Sequence, residues 1–222
     1  MPGAIVRTLG RFRIHLPVVH RASLLARTPV GVGWTRDLSE SGVCVELSQR
    51  LRPRQTVRIH LQTDGGPIEI EGTVAWSGDA PAPGGGILHG LEFTEVVPDQ
   101  LRALRELLQC RGHARQVGIR LPLEVAVTCC PHDGSGRPLE GTSGDISQGG
   151  MLLRLKGRVE PGTTLTLTLR TPSGPLSAEG VVIWADPGEP QAEEDLIRHG
   201  IRFTALGWST SLSLGLVLAE PA

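Results

Sequence analysis

The stretch TRDLSESGVCVEL places an aspartate, a serine and a glycine at Asp37, Ser39 and Gly42, just ahead of an apolar run. The stretch SGDISQGGMLLRL repeats the pattern at Asp145, Ser147 and Gly150. A carboxylate accepts two parallel hydrogen bonds, a hydroxyl donates or accepts one, and a glycine lets a flat ring approach the backbone. Guanine matches such a surface, because its N1–H and N2–H2 are adjacent donors that one aspartate binds in bidentate fashion. The same residues also fit a local role, with Asp and Ser bonding their own backbone in a turn and Gly supplying a positive φ or a bulge. Duplication copies either kind of residue.

A charged nucleotide also needs cations. Arg7, Arg11 and Arg13 precede the first pattern in RTLGRFRIHLPVV, and Arg111, Arg115 and Arg120 precede the second in RGHARQVGIRLPLEVAV. Guanidinium suits both bidentate phosphate contacts and stacking on a base. A solvated basic linker is the other reading of such segments. Lys156 is the single lysine, a bias that a GC-rich genome also produces.

The elements that position these residues follow from a repeat. Displaced by 108 residues, Asp37, Ser39 and Gly42 fall on Asp145, Ser147 and Gly150, and Glu71, Gly72, Val74 and Trp76 fall on Glu179, Gly180, Val182 and Trp184. After a two-residue insertion, His89, Gly90 and Phe93 fall on His199, Gly200 and Phe203. The chain therefore reads as two copies of one domain, residues 1–110 and 111–222. Each copy alternates apolar and polar residues in VRIHLQ and LTLTLR, turns at a Gly-Pro, and returns through EGTVAW or EGVVIW, which predicts a β-hairpin. Several short strands in about 100 residues predict a mostly β chain of two tandem small antiparallel barrels. Behind the first, Leu101, Leu104, Leu107 and Leu108 predict an amphipathic helix capped by Asp99. The matching WSTSLSLGLVLAEPA fits a helix or a final strand, since its alternation and Gly215 weaken the helix.

Composition narrows the function. A formal net charge of -1 and 3% aromatic residues give no footing for a nucleic-acid surface or stacking platform. Cys44, Cys110, Cys129 and Cys130 lack Cys-x-x-Cys spacing and read as inert thiols in a reducing compartment. No apolar run suits a secretory signal or a membrane span, so the expected location is the cytoplasm. His89 and His199 have no partner ligand at metal spacing, and Trp76 and Trp184 read as core or barrel rim. With no nucleophile elbow, phosphate loop or metalloprotease motif, the chain reads as a binding protein rather than an enzyme.

Each half has an arginine-bearing lead, Asp-x-Ser-x-x-Gly, Gly-x-Val-x-Trp and His-Gly-Leu/Ile-x-Phe, and in this resembles the PilZ domain. The resemblance implies a small β-barrel with a C-terminal helix and, as ligand, the bacterial second messenger cyclic di-GMP, with no cofactor. It further implies that an Arg-x-x-x-Arg arm holds phosphates and stacks on guanine while the Asp-x-Ser-x-x-Gly strand reads a guanine edge. Literal arm matches are Arg7/Arg11 and Arg111/Arg115. Aligning RIHLPV with RLPLEV instead puts Arg13 and Arg120 in the second arginine's place and Leu9 and Gln116 in the first. The implied function is a receptor or adaptor regulating motility, biofilm or exopolysaccharide output through an unidentified partner protein. The alternative is a degenerate PilZ-like scaffold that does not bind the nucleotide.

Overall fold

The computed structural model describes residues 10–22, 31–80, 85–111, 119–132, 134, 137–186 and 196–219. The chain separates into two compact units, one extending through Ile119 and the other starting at Arg120.

Six strands build the first unit: β1 (Pro17–Ala22), β2 (Gly31–Ser39), β3 (Gly42–Leu47), β4 (Thr56–Thr63), β5 (Gly66–Asp79) and β6 (Ile87–Glu95). In the order β1-β2-β3-β6-β5-β4 they close into an antiparallel barrel, β4 returning to β1 with Val18 opposite Leu61. Alternation decides what faces in: on β4, Val57, Ile59 and Leu61 are buried while Arg58 is exposed. Trp34, Leu38, Val43, Val45 and Leu47 join them inside, and each such aliphatic burial contributes roughly 1.5–3 kcal/mol. Closure leaves no strand edge unpaired.

The second unit repeats the plan with β8 (Ala126–Pro131), β9 (Leu139–Ser147), β10 (Gly150–Leu155), β11 (Thr164–Thr171), β12 (Gly174–Ala185) and β13 (Ile197–Ala205). The ring closes where β10 pairs with β9, and the short β7 (Leu121–Pro122) adds to β9. The predicted hairpins are β4–β5 and β11–β12. Gly66 (φ 107°) and Gly174 (φ 122°) occupy the left-handed region that the tight turns demand. Thr63 Oγ1 and Thr171 Oγ1 each donate across the turn to the glycine carbonyl at 2.6 Å.

A helix follows each barrel: α1 (Pro98–Arg111) and α2 (Trp208–Ala219). Leu104, Leu107 and Leu108 of α1 are buried, as the leucine spacing predicts. The cap differs from expectation. Pro98 is the first helical residue and the Val97 carbonyl accepts the Leu101 N–H at 2.9 Å, so Asp99 sits inside the first turn, where its charge favours the helix dipole. The ambiguous C-terminal segment is a helix, because Leu214, Gly215, Val217 and Leu218 share one buried face. No helix among the described residues is long and apolar enough to cross a membrane.

His20, at the β1 wall of the first barrel, is buried, and neither ring nitrogen has a hydrogen-bond partner among the described residues. Burial, with a smaller contribution from His89, lowers its pKa from 6.5 to about 4. An unfolded His20 takes up its proton near 6.5 while the folded one stays neutral until about 4. The stability that a neutral His20 gives is thus complete above pH 6.5 and is lost as the pH falls through that window, by roughly 2–3 kcal/mol. Thermal melts of the wild type and His20→Leu at steps between pH 7.5 and 4 check this: the variant is expected to lose less on acidification, and parallel losses would contradict the assignment.

Candidate functional site

Two residues ahead of each aspartate, a buried hydroxyl fixes the segment that carries the arginine. Thr35 Oγ1 accepts the Leu16 N–H at 2.8 Å and donates to the Ile14 carbonyl. Ser143 Oγ accepts the Val125 N–H at 3.0 Å and donates to the Leu123 carbonyl. The incoming chain is thereby tied to β2 in one barrel and β9 in the other. Phe12 bridges Leu38, and Leu121 pairs with Ile146, so the two leads align with an offset of 109 residues, against 108 for the strands that follow.

That offset corrects the arginine register. Arg11 is the counterpart of Arg120, and Arg13 is the counterpart of Pro122. The reason lies in the connection between lead and second strand, residues 23–30 in one copy and 132–138 in the other, which differs by one residue. Local similarity of RIHLPV to RLPLEV hides the difference. Four residues before Arg11 stands Arg7, and four before Arg120 stands Gln116, with Arg115 beside it. Arg7, Arg115, Leu9 and Gln116 lie outside the described residues, and Arg111 is the last residue of α1.

Arg11 and Arg120 reach the aspartates. Arg11 Nη1 donates to Asp37 Oδ1 at 2.7 Å, and Arg120 Nη1 donates to Asp145 Oδ1 at 2.7 Å. Both pairs face solvent, the side chains being 49%/29% exposed in the first barrel and 43%/35% in the second. Ion pairs this exposed add little stability and exchange partners readily. Arg13 is exposed and has no ion-pair partner among the described residues. A bulge at Arg36, the extra residue between the paired Thr35 and Asp37, turns Asp37 outward.

Serine and glycine of the pattern do structural work. Ser39 and Ser147 are buried, and their Oγ atoms donate across the two-residue turn to Gly42 O at 3.0 Å and Gly150 O at 3.3 Å. Neither glycine adopts a positive φ. Each is small because the next strand passes close: a Cβ on Gly42 would stand 2.5 Å from the Leu91 carbonyl oxygen, and one on Gly150 would sit deep inside the Ile201 carbonyl oxygen. The turn reading therefore accounts for Ser and Gly, while Asp and its arginine remain on the surface.

Beside them lies a flat strip that sequence reasoning passed over. Asp37 pairs with Cys44, Cys44 with Gly90, and Gly90 with Trp76, one row across β2, β3, β6 and β5. In the second barrel Leu152, Gly200 and Trp184 form the corresponding row. The indole lies against the glycine in both, since a Cβ at Gly90 or Gly200 would fall on the ring nitrogen. Trp76 and Trp184 are 46% and 43% exposed, so they belong to the outer surface and not to the core. The matching Gly and Trp in both halves were the available signal. Burial pushes the Cys44 thiol up to about 11, with Asp37 adding to the shift.

The repeated histidines are internal ties. His89 and His199 are buried, and each Nε2 accepts a backbone N–H, from Leu51 at 3.0 Å and from Val159 at 3.1 Å. Burial lowers both pKa values, which keeps the rings neutral and the acceptors available. Among the described residues no group of three or more His, Cys, Asp or Glu could hold a metal.

Comparison with solved structures finds similar architectures at low identity. The inhibitor of motility MotI/DgrA of Bacillus subtilis is 12% identical, covering 91% of this chain and 95% of that one, with a TM-score of 0.39. MrkH of K. pneumonia, solved as a complex with c-di-GMP, is 14% identical over 91% of this chain and 86% of that one, with a TM-score of 0.39. The PilZ domain of YcgR from Escherichia coli, solved with c-di-GMP, is 14% identical over 48% of this chain and 91% of that one, also at 0.39. No curated protein matches the sequence. The family model described as the PilZ domain matches twice, over residues 7–110 and 109–207, and so takes in both barrels with the arginines that lead into them. The chain therefore belongs to the PilZ domain family, which it carries as two tandem copies.

Proposed function

We propose that the chain is a cyclic di-GMP receptor. The observation that carries this reading is the solvent-facing arginine–aspartate pair that recurs in both barrels beside a glycine floor. In it the carboxylate of Asp37 or Asp145 takes the adjacent N1–H and N2–H2 donors of a guanine, and the guanidinium of Arg11 or Arg120 turns to the ring face or the phosphate. Ser39 and Ser147 hold the turn that presents the aspartate; Gly42 and Gly150 keep the floor flat. Trp76 and Trp184 border the strip and offer an apolar edge to a bound base. In the first barrel the arm register supplies both arginines of Arg-x-x-x-Arg, Arg7 and Arg11, and Arg13 adds a third cation nearby. Ahead of Arg120 in the second copy stand Arg115, beside Gln116, and Arg111, at the end of α1.

The receptor acts from the cytoplasm on a partner protein of a motility, biofilm or exopolysaccharide system. Ligand binding biases a two-state contact with that partner. The test is ligand-dependent stabilisation. At a hundredfold excess over the dissociation constant, cyclic di-GMP should stabilise the chain by about 2.7 kcal/mol, a rise of several degrees in melting temperature, while GMP and GTP should not. No shift at high micromolar cyclic di-GMP would overturn the proposal.

A further inference from the structure

The two barrels share a backbone plan, but the strip beside the aspartate carries opposite charge in each. In the first barrel the residue facing Gly42 on β6 is Glu92. The nearby Arg36 is taken up by Glu46, a buried carboxylate that also accepts the Gly86 N–H at 2.7 Å. In the second barrel, the residue facing Gly150 is Arg202, Glu46 is replaced by Arg154, and Arg36 by Gly144. The absent side chain at Gly144 leaves room for the Arg154 guanidinium: a Cβ there would stand 3.1 Å from its Nη2. Arg154 thus lies against the residue that precedes Asp145.

Neither Arg154 nor Arg202 has an ion-pair partner among the described residues. Arg154 also pairs across the sheet with Arg198, whose own charge is met by Asp186 at 2.8 Å. Like charges directly opposite on adjacent strands are unfavourable, and an unneutralised arginine here is answered best by an anion from outside. The two guanidinium groups, without an ion-pair partner among the described residues, bracket the Gly150–Leu152–Gly200 floor, on which Trp184 closes the far side. This is also the barrel whose arm holds Gln116 where the first barrel's holds Arg7.

We infer that the second barrel takes its phosphate-binding cations from its strands, Arg154 on β10 and Arg202 on β13, in place of the arm position occupied by Gln116. The inference rests on the cyclic di-GMP reading of the same site. It makes the barrels unequal sensors. The first takes a phosphate contact from Arg7 in its lead, whereas the second carries its contacts on paired strands.

The test uses the full chain with the first site silenced by Arg11→Ala and Asp37→Asn, so that calorimetry with cyclic di-GMP reads the second barrel. Against this parent, Arg154→Ala/Arg202→Ala is expected to weaken binding by about a hundredfold or more and to flatten its salt dependence. Arg170→Ala, another exposed arginine of the same barrel without an ion-pair partner among the described residues, is expected to leave affinity within about twofold. Melting curves confirm that the barrel stays folded in every variant. Undiminished affinity in the double arginine variant overturns the inference. So does a parent that binds nothing while the wild type binds, an outcome that leaves the receptor reading standing. A wild type that binds no cyclic di-GMP overturns both.

Discussion

Asp37→Asn and Asp145→Asn together are expected to weaken cyclic di-GMP binding roughly 10- to 100-fold at each barrel while leaving the chain folded. Asparagine keeps the size of aspartate but turns one of its two acceptors into a donor, which then faces a guanine N–H. The lost interaction is a hydrogen bond to a charged group, worth about 1.5–3 kcal/mol. The structural cost is small. Among the described residues each carboxylate's role in the fold is an ion pair with Arg11 or Arg120, and both pairs are solvent-facing. Such exposed pairs contribute about 0–1 kcal/mol. Calorimetry alongside thermal melts separates the two effects. Unchanged affinity in the double variant would remove the aspartates from the site, and loss of binding accompanied by a collapsed melt would assign them to the fold.

Gly150→Ala is expected to act in the opposite way, on the fold first. The Ile201 carbonyl oxygen occupies the space where the new methyl would go, with Arg202 Cα at 3.2 Å. These are backbone atoms of a paired strand, so relief requires β10 and β13 to separate, and overpacking of this kind costs about 1–3 kcal/mol or more. Gly149→Ala is the matched control, one residue away in the turn, with no atom within 4 Å of its Cβ position. It is expected to change stability by less than about 0.5 kcal/mol. Denaturant unfolding of both variants checks the contrast. Equal stability in the two would mean that the Asp-x-Ser-x-x-Gly glycine is held by something other than strand packing. A binding defect in a Gly42 or Gly150 variant then reports lost strand geometry and not a missing ligand contact.

Much of this architecture was legible because duplication makes a pattern visible twice. The hairpins followed from strict alternation ending in Gly-Pro, and the structure realises them with Gly66 and Gly174 at positive φ. What escaped sequence reasoning depended on register and on the third dimension. Similarity of short apolar strings matches Arg13 to Arg120, while pairing of Phe12 with Leu38 and of Leu121 with Ile146 selects Arg11. Thr35 and Ser143 carry the clamp on the arm, yet as single hydroxyl residues in strands they have no linear signature. The Trp76 and Trp184 strip needed strand order, since their neighbours Gly90 and Gly200 join from a strand that follows an intervening loop. The C-terminal helix was ambiguous because Gly215 lowers helix propensity, a cost that burial of Leu214, Val217 and Leu218 outweighs.

Amide mapping by nuclear magnetic resonance during a cyclic di-GMP titration tests the central claim most directly, because it reports where the ligand sits. The account predicts saturable shifts at Arg11–Arg13, Asp37–Gly42 and Gly90 in the first barrel, and at Arg120, Asp145–Gly150 and Gly200–Arg202 in the second. Titration without saturable shifts, or with shifts confined to surfaces such as α1 and the β4–β5 turn, would contradict it.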